Sequence, residues 1–162
     1  MGHGDEIVFA DANFPSASVA KTTTLGAEIR VDGNGIPELL TAVMKLFPLD
    51  PVAKNCVFME MSALLLFLSR HAAGVTSPRH PRPFCARARP TVPEHKAAGW
   101  KTPIWDVYKS IVVAEEPAAQ FEEVERFAFY ERSKRAFAVV ATGETALYGN
   151  LILKKGVIGS KD

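Results

Sequence analysis

The sequence predicts a single compact α/β domain. Short apolar runs bounded by polar residues alternate with segments whose apolar residues recur at helical spacing, as strands interleaved with helices do. The chain has 162 residues, enough for one domain with a real core and too few for two comfortable ones. There is no internal repeat.

Taken in order, Glu6-Ile7-Val8-Phe9-Ala10-Asp11 is a short apolar run that suits a buried strand. Phe14-Pro15 breaks it, and Ser16 to Gly26 reads as a long polar loop. Glu28 to Val31 is a second strand, stopped by the dense turn signal Asp32-Gly33-Asn34-Gly35. Pro37 fits the first turn of a helix, and Leu39, Leu40, Val43, Leu46 and Phe47 carry its period up to Pro48. Val57 to Glu60 reads as a strand. Further on, Thr102 is placed to cap a helix with Pro103 at its first position, and Ile104, Trp105, Tyr108, Ile111 and Val112 mark one face. Val124 to Phe127 suits either state, Phe129 to Arg135 is charged and helix-prone, and Ala136 to Ala141 is a strong strand. Thr142-Gly143-Glu144 makes a turn, and Leu151-Ile152-Leu153 is a short strand closed by Lys154-Lys155-Gly156.

One tract breaks the alternation. Ser62 to Pro93 has no Asp or Glu, carries Arg70, Arg79, Arg82, Arg87 and Arg89, and includes Pro78, Pro81, Pro83, Pro90 and Pro93 of the chain's 11 prolines. Prolines at that density block helices and sheet ladders alike. Residues Ser62 to His95 are therefore read as an insertion, disordered or loosely attached, within one domain spanning 1–162.

Composition excludes several function classes. With 19 Lys+Arg against 18 Asp+Glu, net charge is +1, which gives no footprint for nucleic acid or an acidic membrane. The N-terminus lacks the basic and apolar regions of a secretory signal, and the longest apolar run is far short of a membrane span, so a cytoplasmic protein is expected. The two cysteines, Cys56 and Cys85, rule out a disulfide scaffold. No Rossmann glycine motif, P-loop, HExxH or CxxC is present, and the spacing of His71, His80, Cys85 and His95 fits no usual zinc pattern. Neither a metal nor a cofactor is expected.

The residues that remain as candidates for chemistry each have an ordinary reading as well. His3 sits between two glycines, as a floppy terminal histidine or as a general acid or base near neutral pH. Asp11 ends the first strand, where α/β sheets bind ligands and where an Asx turn is equally at home; its carboxylate suits the paired hydroxyls of a sugar. Asp50, in Pro48-Leu49-Asp50-Pro51, reads alone as turn chemistry. Arg126 and Tyr130 fit surface ion pairing and aromatic packing, and a phenol also relays protons. Tyr148-Gly149-Asn150 offers a phenol, a bare backbone position and an amide together, or a plain strand edge. The set suits a small uncharged polyhydroxylated ligand and proton transfer.

Two stretches carry a resemblance. Met1-Gly2-His3-Gly4-Asp5-Glu6-Ile7-Val8 with Ala10-Asp11-Ala12-Asn13-Phe14-Pro15 opens the chain, and Arg126 to Arg132 and Thr142 to Gly156 close it. These resemble the motifs of the fucose mutarotase and ribose pyranase family, over about residues 1–61 and 96–158, in its animal form. The resemblance implies an isomerase acting without cofactor on a monosaccharide, L-fucose, in a homo-oligomer with no nucleic-acid or membrane partner. It implies His3 as catalytic proton donor and Asp11, Asp50, Arg126, Tyr130, Tyr148 and Asn150 as residues at the sugar; because a phenol can relay a proton, Tyr130 is taken as the catalytic partner of His3, with Asp11, Asp50, Arg126, Tyr148 and Asn150 binding substrate. Family members carry a helix before the Gly-His-Gly-Asp motif, at which this chain begins, and the 62–95 tract has no counterpart in the family pattern. A catalytically impaired sugar-binding or oligomer subunit, and a pyranose–furanose isomerase, are the alternatives.

Overall fold

Successive side chains of the first strand join two different core clusters, and that alternation sets up the layers. In the computed structural model, which describes residues 1–52, 54–60 and 102–158, β1 (Glu6–Ala10) turns Ile7 and Phe9 to one face of a sheet and Val8 and Ala10 to the other. A period of two with both faces apolar is what a strand covered on both sides requires.

The elements follow as α1 (Ser16–Ala20), β2 (Glu28–Val31), α2 (Ile36–Met44), β3 (Cys56–Glu60), α3 (Ile104–Glu115), β4 (Phe121–Glu125), α4 (Arg126–Ser133), β5 (Ala138–Thr142) and β6 (Leu151–Lys154). The strands form one six-stranded sheet in the order β2-β5-β1-β6-β3-β4. β1 pairs in parallel with β5, β5 with β2, and β3 with β4, while β6 runs antiparallel between β1 and β3. All strands but β6 thus point the same way, and their carboxyl ends gather at one end of the sheet together with the start of β6.

Helices cover both faces. Ile36, Leu40 and Met44 of α2 and Trp105, Tyr108 and Val112 of α3 pack on Phe9, Phe58, Leu151 and Leu153. Phe58 stacks on Trp105 at 5.2 Å between ring centroids and on Phe121 at 5.8 Å. On the other face Val19 and Ala20 of α1 and Phe129 of α4 pack on Val8, Val57, Val139 and Ile152.

Most of the expected elements form within a residue or two of their expected bounds, and three readings change. Ser16–Ala20 is a helix rather than loop: its polar residues face outward while Val19 and Ala20 find a buried face that the local composition does not announce. Thr102 does not cap α3 with its side chain; its carbonyl accepts the Trp105 N–H at 3.0 Å. The ambiguity at 124–127 resolves at Glu125, where Oε2 accepts the Phe127 and Ala128 N–H groups at 2.7 and 3.3 Å and so ends β4 and starts α4. The expected insertion Ser62–His95, with His71, His80, Cys85 and His95, lies outside the described residues.

Candidate active site

The carboxyl end of the sheet is built around Asp11, the residue after β1. Its backbone N–H donates to Asn150 Oδ1 at 2.8 Å, and Asn150 Nδ2 donates back to Asp11 Oδ2 at 2.7 Å. The other carboxylate oxygen, Oδ1, accepts the Asn13 N–H at 2.9 Å. Asp11 is 4% exposed and Asn150 fully buried, so the pair is desolvated. Burial pushes the Asp11 carboxyl above its ordinary range, and bonds from Asn13, Asn150 and the neighbouring backbone pull it partly back.

Tyr130 belongs to the same end. α4 starts beside the carboxyl end of β4, and its side chains lean back toward that start. The Tyr130 ring packs edge-on to Phe14 at 5.3 Å and joins Tyr148 on the buried face. Burial raises its phenol; the Arg126 charge opposes that shift, and the Asp11 charge adds to it. A phenol raised in this way keeps its proton at neutral pH, where it can donate a hydrogen bond. Arg126, the first residue of α4, lies over the Phe127 ring at 4.6 Å, with a buried Nε that has no hydrogen-bond partner among the described residues.

An open cleft of about 650 Å³ lies beside this cluster, lined by Asp11, Phe14, Ser16, Arg30, Asp32 and Thr142, among others. It sits where the parallel strands β1, β5 and β2 end, the usual ligand position in an α/β sheet. A second, more apolar hollow of about 310 Å³ adjoins Tyr130, Phe127 and Val19.

His3 and Asp50 lie elsewhere. Asp50 precedes β3, and its Oδ2 meets Lys154 Nζ, at the end of β6, at 3.0 Å. His3 Nε2 is 3.8 Å from the same oxygen. Glu6 at the start of β1 pairs in register with Lys154, so this cluster marks the amino end of β1 while Asp11 marks its carboxyl end. Five steps of strand separate Glu6 from Asp11, roughly 16 Å. Within one chain His3 thus stands near the amino end of β1 and Asp11 at its carboxyl end, because an extended strand holds its two ends apart. The His3 side chain is 57% exposed and that of Asp50 only 5%, so the imidazole projects from a fixed carboxylate. The Val52 N–H, then Lys154, hold the Asp50 carboxyl below its ordinary range, and so ionised.

The sequence reading missed Lys154 as the partner of Asp50, although Lys154-Lys155-Gly156 stood out as the close of the last strand. It missed Trp105 and Tyr108 as holders of the Tyr148–Asn150 segment, because both read there as core. Cys56 is buried, and its thiol is pushed up to about 12, so it is no nucleophile. No group of three or more His, Cys, Asp or Glu among the described residues is arranged to hold a metal ion.

Fold and geometry together define a class: an α/β protein with a mixed sheet, whose strand carboxyl ends carry a desolvated carboxylate–amide pair flanked by two tyrosines. Within that class the chain belongs to the RbsD / FucU transport protein family, whose model matches residues 1–158. It is 48% identical over 158 residues to a fucose mutarotase of Danio rerio, covering 98% of this chain and 82% of the relative. The human fucose mutarotase is 46% identical with the same coverage. Among solved structures, the fucose mutarotase of Streptococcus pneumoniae in complex with L-fucose superposes with a TM-score of 0.67. It is 37% identical, and the match covers 98% of this chain and 87% of that one.

Proposed function

We propose that this chain is an L-fucose mutarotase, an isomerase that interconverts the α and β anomers by opening and reclosing the pyranose ring. The observation that carries the reading is the desolvated Asp11–Asn150 pair beside Tyr130 and Tyr148 at the strand carboxyl ends, in a chain nearly half identical to fucose mutarotases.

Opening the ring takes a proton from the anomeric hydroxyl and delivers one to the ring oxygen; closure reverses both transfers. Tyr130 is the partner of His3 in these two transfers. Asp11, Asn150, Tyr148 and Arg126 hold the hydroxyls. His3 is the second proton carrier, an imidazole being the side chain whose ordinary range spans neutral pH. Asp50, itself held by Lys154, orients that imidazole.

Because His3 projects from the opposite end of β1, a second copy of the chain brings it to the Asp11 end, and the working enzyme is a homo-oligomer. Each positioned acid or base contributes roughly 10²–10⁴-fold, ample for a reaction that already proceeds slowly in water. In this reading the protein is a cytoplasmic enzyme that serves carbohydrate metabolism and fucosylation.

The test is saturation transfer between the α- and β-L-fucose NMR signals. The parent chain exchanges them, and His3→Ala and Asp11→Asn each slow exchange by about 100-fold. Co-expressing the two variants restores part of the rate, since mixed assemblies contain sites with both groups intact. A parent chain that binds L-fucose without exchanging it is a sugar-binding subunit rather than an enzyme. Exchange at the parental rate by a chain that stays monomeric removes the second copy from the site.

A further inference from the structure

Two residues of helix α3, which line neither of the two clefts described above, hold the backbone of the sugar-binding segment. The Trp105 indole N–H donates to the Tyr148 carbonyl at 2.9 Å, and the Tyr108 hydroxyl donates to the next carbonyl, that of Gly149, at 3.0 Å. They stand three residues apart on one helix face, with Trp105 1% exposed and Tyr108 fully buried. Stacking on Phe58 fixes the Trp105 ring.

What they hold is unusual backbone. Tyr148 has φ +59°, the only non-glycine residue with a positive φ among those described. A side chain as large as tyrosine enters the left-handed region only when its surroundings over-determine it. Gly149 beside it has no room for a side chain: a Cβ there would come within 2.9 Å of the Ala146 carbonyl and 3.4 Å of the Tyr108 hydroxyl. The segment is thus pinned at two successive carbonyls, and the next residue is Asn150, whose amide grips Asp11.

We infer that Trp105 and Tyr108 are positioning residues for the sugar site: by holding the Tyr148 and Gly149 carbonyls they keep Tyr148 in its left-handed conformation and aim the Asn150 amide at Asp11. The inference rests on the L-fucose reading for its catalytic meaning, while its structural half stands without any sugar.

Tyr108→Phe removes one hydroxyl and Trp105→Phe one N–H, both keeping an aromatic ring in the core. A loosened segment weakens the bond from the Asp11 N–H to Asn150. In each variant the Asp11 amide then exchanges with solvent deuterium about tenfold faster, while the central amides of β5 keep their protection. Binding of L-fucose, titrated by NMR, weakens by a similar factor. In an Asn150→Ala background the Tyr108→Phe change weakens it by a smaller factor than in the parent, although it still lowers the thermal midpoint.

Unchanged Asp11 protection in both variants overturns the inference whatever the sugar result. So does a Tyr108→Phe effect on binding that persists in full without Asn150, since that marks general loosening. If the parent chain does not bind L-fucose, the functional reading fails separately and the Asp11 amide still decides the positioning claim.

Discussion

Asn150 and Asp11, 139 residues apart in sequence, bond each other in both directions: the Asp11 N–H reaches the Asn150 amide oxygen at 2.8 Å, and the Asn150 amide nitrogen reaches the Asp11 carboxylate at 2.7 Å. The pair joins the end of β1 to the start of the neighbouring strand β6. It is at once a brace of the sheet and the floor of the proposed site.

Asn150→Ala therefore costs stability as well as affinity. It strands the Asp11 N–H and one carboxylate oxygen in a buried place, and each unpaired group is worth roughly 1–3 kcal/mol. Urea unfolding should show a lower midpoint at unchanged slope, and L-fucose titration a weaker affinity. An unaltered midpoint would mean that water replaces the amide.

The two carboxylates respond to pH with opposite signs. Burial raises Asp11 from the ordinary 3.8, so its favourable contribution is complete below that value and is lost as pH rises through the elevated one. The Val52 N–H and Lys154 lower Asp50 from 3.8, so its contribution is present above that value and is lost as pH falls through the depressed one. Carboxyl-carbon NMR titration should place Asp11 above Asp50. Asp50→Asn should flatten the acid limb of the stability curve below 3.8, and an acid limb as steep as the parent's would show that other groups set it.

Gly143 follows β5 and lines the cleft. A methyl group on it would run into the backbone carbonyl of Asp32, which cannot swing aside as a side chain does. Its own N–H is bound to the Asn34 carbonyl at 2.9 Å, which keeps the turn after β2 against it. Gly143→Ala should cost about 1–3 kcal/mol in denaturant unfolding and weaken L-fucose binding. Parental stability in this variant would mean that the β2 turn gives way freely.

Arg132 ties the end of α4 to the amino end of the sheet, meeting Glu6 at 2.6 Å and Glu122 at 3.2 Å with its side chain 22% exposed. Arg132→Met leaves two half-buried carboxylates without this partner. The expected loss is about 1–3 kcal/mol, and it should shrink when Glu6→Gln is added, as for a coupled pair. Additive losses in that double-mutant cycle would show that the ion pair contributes nothing of its own.

Much of this protein was legible in the sequence by itself. The α/β class, the strands at 6–10, 28–31 and 56–60, and the helix after Gly35 follow from local period and turn chemistry, which neighbouring residues settle among themselves. The residue types of the site were legible too: a carboxylate at a strand end, an amide and a phenol astride a glycine, and an imidazole between glycines. Local signals did not reveal α1, whose buried residues Val19 and Ala20 pack on elements distant in sequence. Nor did they show that Trp105 and Tyr108 work through their polar atoms, because a buried aromatic at helical spacing looks the same whether or not its N–H or O–H has an appointed partner. Tertiary structure alone decided which site residues meet. Strand order and direction gather Asp11, Asn150, Tyr148 and Tyr130 at the carboxyl ends and send His3 and Asp50 to the other. Pairing between strands far apart in sequence sets those positions, and no local pattern of residues encodes which ends of which strands will share a neighbourhood.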